Sequence, residues 1–175
     1  MIRGYIAQTV DGYVADRDGG VGFLDPYQTP ETAADYARFA AEIATVIMGR
    51  TTYDQIVGFG VGWPYVGKRA IVVTSRPLNP TALGTPECWS AGVGALAQHL
   101  RDAGDGDAWV VGGPQLQTAF LRGGHLDRLE LFVMPALLGG GVRLFEADGP
   151  GLTLREARPL PGGIVRLDYG VAAGA

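Results

Sequence analysis

Residues Ala108–Arg122 read AWVVGGPQLQTAFLR. The four apolar residues Ala108–Val111 have the pattern of a buried strand. Gly112, Gly113 and Pro114 interrupt it, and Leu116, Ala119 and Phe120 return at helical spacing. A helix entered this way starts with unpaired N–H groups and the positive end of its dipole. Two glycines let an anion lie directly on that backbone. A plain strand-to-helix turn has the same pattern, so a second junction matters. Thr45–Met48 is a short apolar strand, Gly49 breaks it, and Arg50-Thr51-Thr52-Tyr53 opens a helix. Two such junctions can grip one pyrophosphate from two sides.

The composition bounds what surrounds these junctions. A chain of 175 residues has room for one domain, residues 1–175, with a real core. It is 47% hydrophobic and 18% charged, as soluble domains are, and its net charge of −4 gives no reason to expect nucleic acid or a membrane surface as partner. No apolar run approaches the roughly 20 residues of a membrane span. The start, MIRGYIAQ, lacks the basic-then-apolar pattern of a signal peptide. Cys88 is the only cysteine, which rules out an internal disulfide and a multi-cysteine zinc site. Cytoplasmic localisation and no bound metal are the expectations.

Met1–Gln8 reads as a buried, central first strand. Thr9–Gln28 is a long, turn-rich loop, of the kind that carries function in compact domains. Thr29 or Thr32 caps a helix to about Ala44 with the stripe Tyr36, Phe39, Ala40, Ile43; Asp35, Arg38 and Glu42 sit on its shoulder. Further strands are expected at Arg69–Thr74, Glu87–Ser90 and within Leu126–Leu138, and a helix over Val93–Leu100 ended by Gly104. The tail reads as a hairpin in which Val165, Leu167, Tyr169 and Val171 alternate with Arg166 and Asp168. Strands alternating with helices and then pairing with each other imply an α/β fold. Its central sheet is mainly parallel, has helices on both faces and ends in an antiparallel C-terminal edge hairpin.

Five motifs in order then carry a resemblance: Thr9-Val10-Asp11-Gly12, Met48-Gly49-Arg50-Thr51-Thr52-Tyr53, Val73-Thr74-Ser75-Arg76, Val111-Gly112-Gly113 and Leu137-Leu138-Gly139-Gly140-Gly141. Nearly the whole chain resembles the dihydrofolate reductase fold, and within it the reductase domain of the riboflavin-biosynthesis deaminase–reductase and its stand-alone bacterial relatives. The resemblance implies NADPH as cofactor and a cis peptide between Gly112 and Gly113. It also implies cofactor contacts at Ala7, at Gly49, Arg50, Thr51 and Thr52, at Thr74, Ser75 and Arg76, and at Gly112, Gly113, Gln115 and Leu116. The chemistry suits these positions. Helix N–H groups, hydroxyls and a guanidinium bind phosphate, and Ser75 and Arg76 at a strand's C-terminal end suit a 2′-phosphate.

On the substrate side, the resemblance implies a carboxylate on the first helix that assists protonation, and Asp35 matches it. A helix-surface carboxylate paired with Arg38 at i+3 is the other reading. Asp11 is either a turn residue or a substrate contact, and His99 and His125 read as structural. A zinc deaminase half needs His-x-Glu and Pro-Cys-x-x-Cys, which this sequence lacks. The expectation is a homodimeric NADPH-dependent reductase acting on a pterin-like or ribosylaminopyrimidine heterocycle. The alternative is a non-catalytic NADPH-binding protein of the same fold.

Overall fold

In the computed structural model, which describes residues 1–78, 86–145 and 148–172, β1 (Ile2–Thr9) opens the chain and β2 (Tyr13–Ala15) follows. A 3₁₀ turn (Gly22–Tyr27) leads to α1 (Pro30–Glu42), β3 (Ile43–Gly49), α2 (Arg50–Gly58), β4 (Arg69–Val73) and β5 (Glu87–Trp89). Then come α3 (Val93–Ala103), β6 (Asp107–Gly112), α4 (Pro114–Arg122), β7 (Arg128–Met134), β8 (Val142–Arg143), β9 (Leu152–Pro159) and β10 (Val165–Val171).

The main sheet has eight strands in the order β5-β4-β3-β6-β1-β7-β10-β9. Every ladder from β5 to β7 is parallel, and β10 runs antiparallel to both β7 and β9. This is the α/β class and edge hairpin expected from the sequence. The long loop after β1 is more ordered than its turn residues suggest. It contains the 3₁₀ turn, and β2 pairs with β8 in a small second sheet.

Local signals explain the helix ends. Thr29 and Thr32 form a reciprocal cap on α1, in which each hydroxyl accepts the other's backbone N–H (3.3 and 3.0 Å), and Pro30 takes the first helical position. Gly104 ends α3 in the left-handed conformation, φ 66°. One face of the sheet is covered by α1 and α2, through Phe39, Tyr53 and Ile56 on Val46, Met48, Val72 and Trp109. The other is covered by α3 and α4, through Leu96, Leu116 and Phe120 on Ile2, Ile47, Ile71 and Val110. Truncating a fully buried ring such as Phe120 costs about 3–5 kcal/mol.

The hairpin departs from the sequence reading in which residues it buries. Asp168 is buried, whereas Val165, Leu152 and Leu154 are exposed. Arg166 and Asp168 face inward because they complete an ion network beside α1. Glu130, 1% exposed, accepts from Arg3 and Arg166, and Arg128 grips Asp168 with two bonds (2.8 and 2.6 Å). Charges can occupy that face because each meets a partner.

Candidate functional site

The C-terminal ends of β1, β3, β4, β6 and β7 open into a cavity of about 1620 Å³. Ligands of open α/β sheets bind at this end of the strands. The two glycine junctions of the sequence meet on its wall. Gly49 is the N-cap of α2 and Gly113 that of α4, and neither helix has a side-chain cap. A Cβ on Gly49 would lie 3.8 Å from Gly113 N, and one on Gly113 would lie 3.4 Å from Thr52 Oγ1, so the junctions abut. The peptide bond between Gly112 and Gly113 is cis.

Nine of the twelve residues expected to contact a cofactor line this cavity: Ala7, Gly49, Arg50, Thr51, Thr52, Gly112, Gly113, Gln115 and Leu116. Two of these carry a qualification. The Leu116 N–H already donates to the Gly113 carbonyl at 3.0 Å, and Pro114 has no N–H, so Gln115 is the first-turn amide better placed for a ligand. The Nε of Arg50 donates to both oxygens of Asp54 (2.8 and 2.9 Å), and Nη1 donates to the Pro77 carbonyl at 2.9 Å. That last bond ties Arg50 to the segment after β4. Thr74, Ser75 and Arg76 lie in this segment, outside the cavity lining, with Ser75 and Arg76 exposed. Thr74 Oγ1 accepts the Arg76 N–H at 3.1 Å and shapes the turn.

Asp35 is not brought to the cavity. The α1 residues that line it are Pro30, Thr32, Ala33 and Tyr36, while Asp35 turns toward the hairpin. Its carboxylate accepts from Arg38 Nη2 at 2.6 Å and from Arg158 Nη2 at 2.7 Å. The Arg38 pair expected from the i+3 spacing is present, but the carboxylate is 7% exposed rather than on the surface. Arg158 comes from β9, and no local signal in the sequence links it to α1.

Aromatic residues form the inner wall, and the sequence reading missed them as a group. Tyr5 stands 4.6 Å from Phe132, 6.2 Å from Tyr36 and 6.1 Å from Trp109 between ring centroids. They come from four elements, so only the fold assembles them. Trp109 is held by a bond from Nε1 to the Tyr5 carbonyl at 3.2 Å. Burial raises the phenol pKa of both Tyr5 and Tyr36, and the charges of Asp35 and Glu130 add to the effect at Tyr5. Both therefore stay protonated at neutral pH.

The turn containing residues 16–20 covers one side of the cavity, and Arg17, Asp18 and Gly19 line it. Asp11, at the start of the segment after β1, ties that start to residues 138 and 139. Its carboxylate accepts from Thr9 Oγ1 at 2.6 Å, Gly139 N–H at 2.7 Å and Leu138 N–H at 3.1 Å, and these bonds hold its pKa below the usual value. Of the two readings of Asp11, the structure shows the turn residue. His99 lies beside Arg69 and Trp89, His125 beside Phe120, and neither lines the cavity.

Residues 66–165 match the family described as the RibD C-terminal domain. Among curated proteins, YwjB of Bacillus subtilis (strain 168) is 29% identical over 81% of this chain and 80% of its own. YyaP of the same organism is 24% identical over 94% and 91%. Among solved structures, a Shewanella sp. PV-4 protein provisionally named a riboflavin biosynthesis protein superposes with a TM-score of 0.88, at 22% identity over 98% of both chains. The deaminase/5-amino-6-(5-phosphoribosylamino)uracil reductase of Thermotoga maritima gives a TM-score of 0.74 at 14% identity, covering 98% of this chain and 56% of that one.

Proposed function

The chain belongs to the RibD C-terminal domain family, and on that premise we propose that it is an NADPH-dependent reductase of a flat heterocyclic substrate, pterin-like or ribosylaminopyrimidine in type. One observation carries the reading: two helix starts without side-chain caps, at Gly49 and Gly113, abut on the wall of a single cavity whose inner end is aromatic.

The residues present fit such a cofactor. Gly49 and Gly113 leave the backbone bare where a side chain would stand between it and a phosphate. The Thr51 and Thr52 hydroxyls and the Gln115 N–H add donors, and Ser75 and Arg76 stand at the adjoining strand end for a 2′-phosphate. NADPH, when bound, supplies the hydride. The protein's own part is to orient and to exclude water. Ala7 gives a small, apolar floor beside Phe132, and Tyr5, Tyr36 and Trp109 present faces and edges against which a planar ring packs.

The proton needed at the reduced atom has no carboxylate source on α1. Tyr36 brings a protonated phenol from α1 to the cavity and is the proton donor of this reading. The same geometry favours the alternative of a binding protein without turnover, because Asp18 is the only carboxylate among the described lining residues. Mixing the protein with NADPH and either dihydrofolate or a ribosylaminopyrimidine, and following the loss of NADPH absorbance, separates the two. Oxidation supports the reductase; binding with no oxidation of any such substrate leaves the binding protein.

A further inference from the structure

The turn over the cavity is built around one side chain. Asp16 folds residues 16–20 back on themselves. Its Oδ1 accepts from the Asp18 N–H at 2.9 Å and the Gly20 N–H at 2.7 Å, and its own N–H donates to the Gly20 carbonyl at 2.9 Å. Gln55 of α2 pins the turn through its amide, which donates to the Gly19 carbonyl at 3.4 Å. Arg17 is carried in this turn. Its Nε and Nη2 lie 2.9 Å from where a Cβ of Gly140 would stand, so the guanidinium rests on the glycine turn, and a side chain there would displace it.

Arg17 is exposed and stands between Asp16 and Asp18, yet pairs with neither among the described residues. Arg17 lines the cavity and makes no ion pair or hydrogen bond among the described residues. Asp16 is occupied by backbone N–H groups. Asp18 also lines the cavity but forms no ion pair with Arg17 among the described residues. The other lining guanidinium, Arg50, differs, because Asp54 holds it. The cavity therefore combines an unpaired guanidinium with two open helix starts. Phosphate oxyanions are ligands for groups of both kinds, since they take a guanidinium in a fork and helix N–H groups end-on.

From this we infer that Arg17 is a specificity-determining residue that grips a phosphate group of a ligand in the cavity. The inference rests on the reading of the cavity as the ligand site. The phosphate has two sources, the diphosphate of the dinucleotide or a phosphate ester on the substrate, and the test separates them.

The test measures two affinities in wild type, Arg17→Gln and Gly140→Ala. One ligand is NADPH. The other comparison is flavin mononucleotide against riboflavin, a flat heterocycle with and without a terminal phosphate. If Arg17 meets the dinucleotide, Arg17→Gln weakens NADPH by about tenfold or more. If it meets a substrate phosphate, the wild type prefers flavin mononucleotide to riboflavin by about tenfold or more, and the variant loses that preference while NADPH is unaffected. Gly140→Ala shifts the same quantity in the same direction, by a smaller factor. A wild type that discriminates the flavins through Arg17 but ignores NADPH supports the anion site and overturns the cofactor reading. NADPH bound equally by wild type and Arg17→Gln, with no Arg17-dependent discrimination of the flavins, overturns the inference and leaves the cofactor reading standing. Failure of the wild type to bind any of the three overturns both.

Discussion

The carboxylate of Asp35 on α1 accepts a hydrogen bond from Arg158 of β9 at 2.7 Å, which fastens the first helix to the far edge of the sheet. This makes Asp35 a stability residue in the first place. The Arg38 pair is largely exposed and contributes little, but Asp35 itself is buried against Arg158, with Arg166 Nε at 3.9 Å. Asp35→Asn is expected to lower unfolding free energy in urea by about 1–3 kcal/mol, because it removes the charge from a buried carboxylate that accepts from Arg38 and Arg158. NADPH affinity should be unchanged and turnover reduced no more than about threefold, an effect under about 1 kcal/mol. A far larger loss of turnover in folded protein would return Asp35 to the role of proton source.

Acid stability follows from the same face of the sheet. Burial alone would raise the Asp168 carboxyl, but hydrogen bonds and charge from Arg128, with the charge of Arg166, hold it below the usual value. Asp107, also buried in part, is held low by the N-terminal amine and Arg3. Carboxylates whose pKa is lower folded than unfolded stabilise the fold above the unfolded value, near pH 4, and that contribution disappears as pH falls through the folded values. Stability should thus be flat with respect to these groups from pH 7 to about 5 and fall below about 4. Asp168→Asn should flatten that fall and lower the plateau. Denaturation midpoints measured across this range check both signs.

Gly141 is the glycine with least room. Its φ is 147°, and a Cβ would run into the Ala15 carbonyl oxygen. Gly141→Ala must therefore move backbone in the β2 segment or its own turn. A cost of about 1–3 kcal/mol is expected from overpacking. Because the displaced segment leads into the turn that lines the cavity, ligand affinity should fall with stability. Retained stability and affinity together would show that the two loops are not coupled.

The edge hairpin carries the expectation of a dimer. Leu126–Leu138 is strongly apolar in the sequence; Leu126, Leu129, Phe132 and Met134 of it are buried, whereas Leu137 is exposed. On the hairpin, Leu152 and Leu154 are exposed on β9, an edge strand that is open along most of its length, and Val165 is exposed on β10 beside it. Apolar residues on an unpaired edge invite pairing with a second chain. Light scattering at micromolar concentration is expected to give a dimer mass that Leu154→Lys reduces to a monomer. A monomeric wild type would overturn the dimer.

The sequence was most legible where one element explains itself. The alternation of strands and glycine-broken junctions located β3, β6 and both open helix starts, because periodicity and glycine act within a few residues. Thr29 and Gly104 marked their helix ends for the same reason. The wall formed by Tyr5, Tyr36, Trp109 and Phe132 was not legible, since each ring looks like core within its own segment and the cavity exists only after the strands are ordered. Asp35 illustrates the limit best. Its spacing to Arg38 was visible, while its burial depends on Arg158 and Arg166 arriving from the last two strands.

Calorimetric titration of NADPH and NADH decides whether this cavity is an NADPH site. Arg50 is tied to Asp54, whereas the side chain of Arg76 has no hydrogen-bond or ion-pair partner among the described residues and stands beside the strand end. The 2′-phosphate adds roughly two negative charges near neutral pH. One charge-assisted contact of about 2 kcal/mol corresponds to roughly a thirtyfold preference for NADPH. One NADPH should bind per chain with that preference, which Arg76→Ala reduces to near unity and which added salt diminishes. Equal affinity for the two cofactors would contradict the assignment of Arg76, and no binding of either would contradict the reading of the site itself.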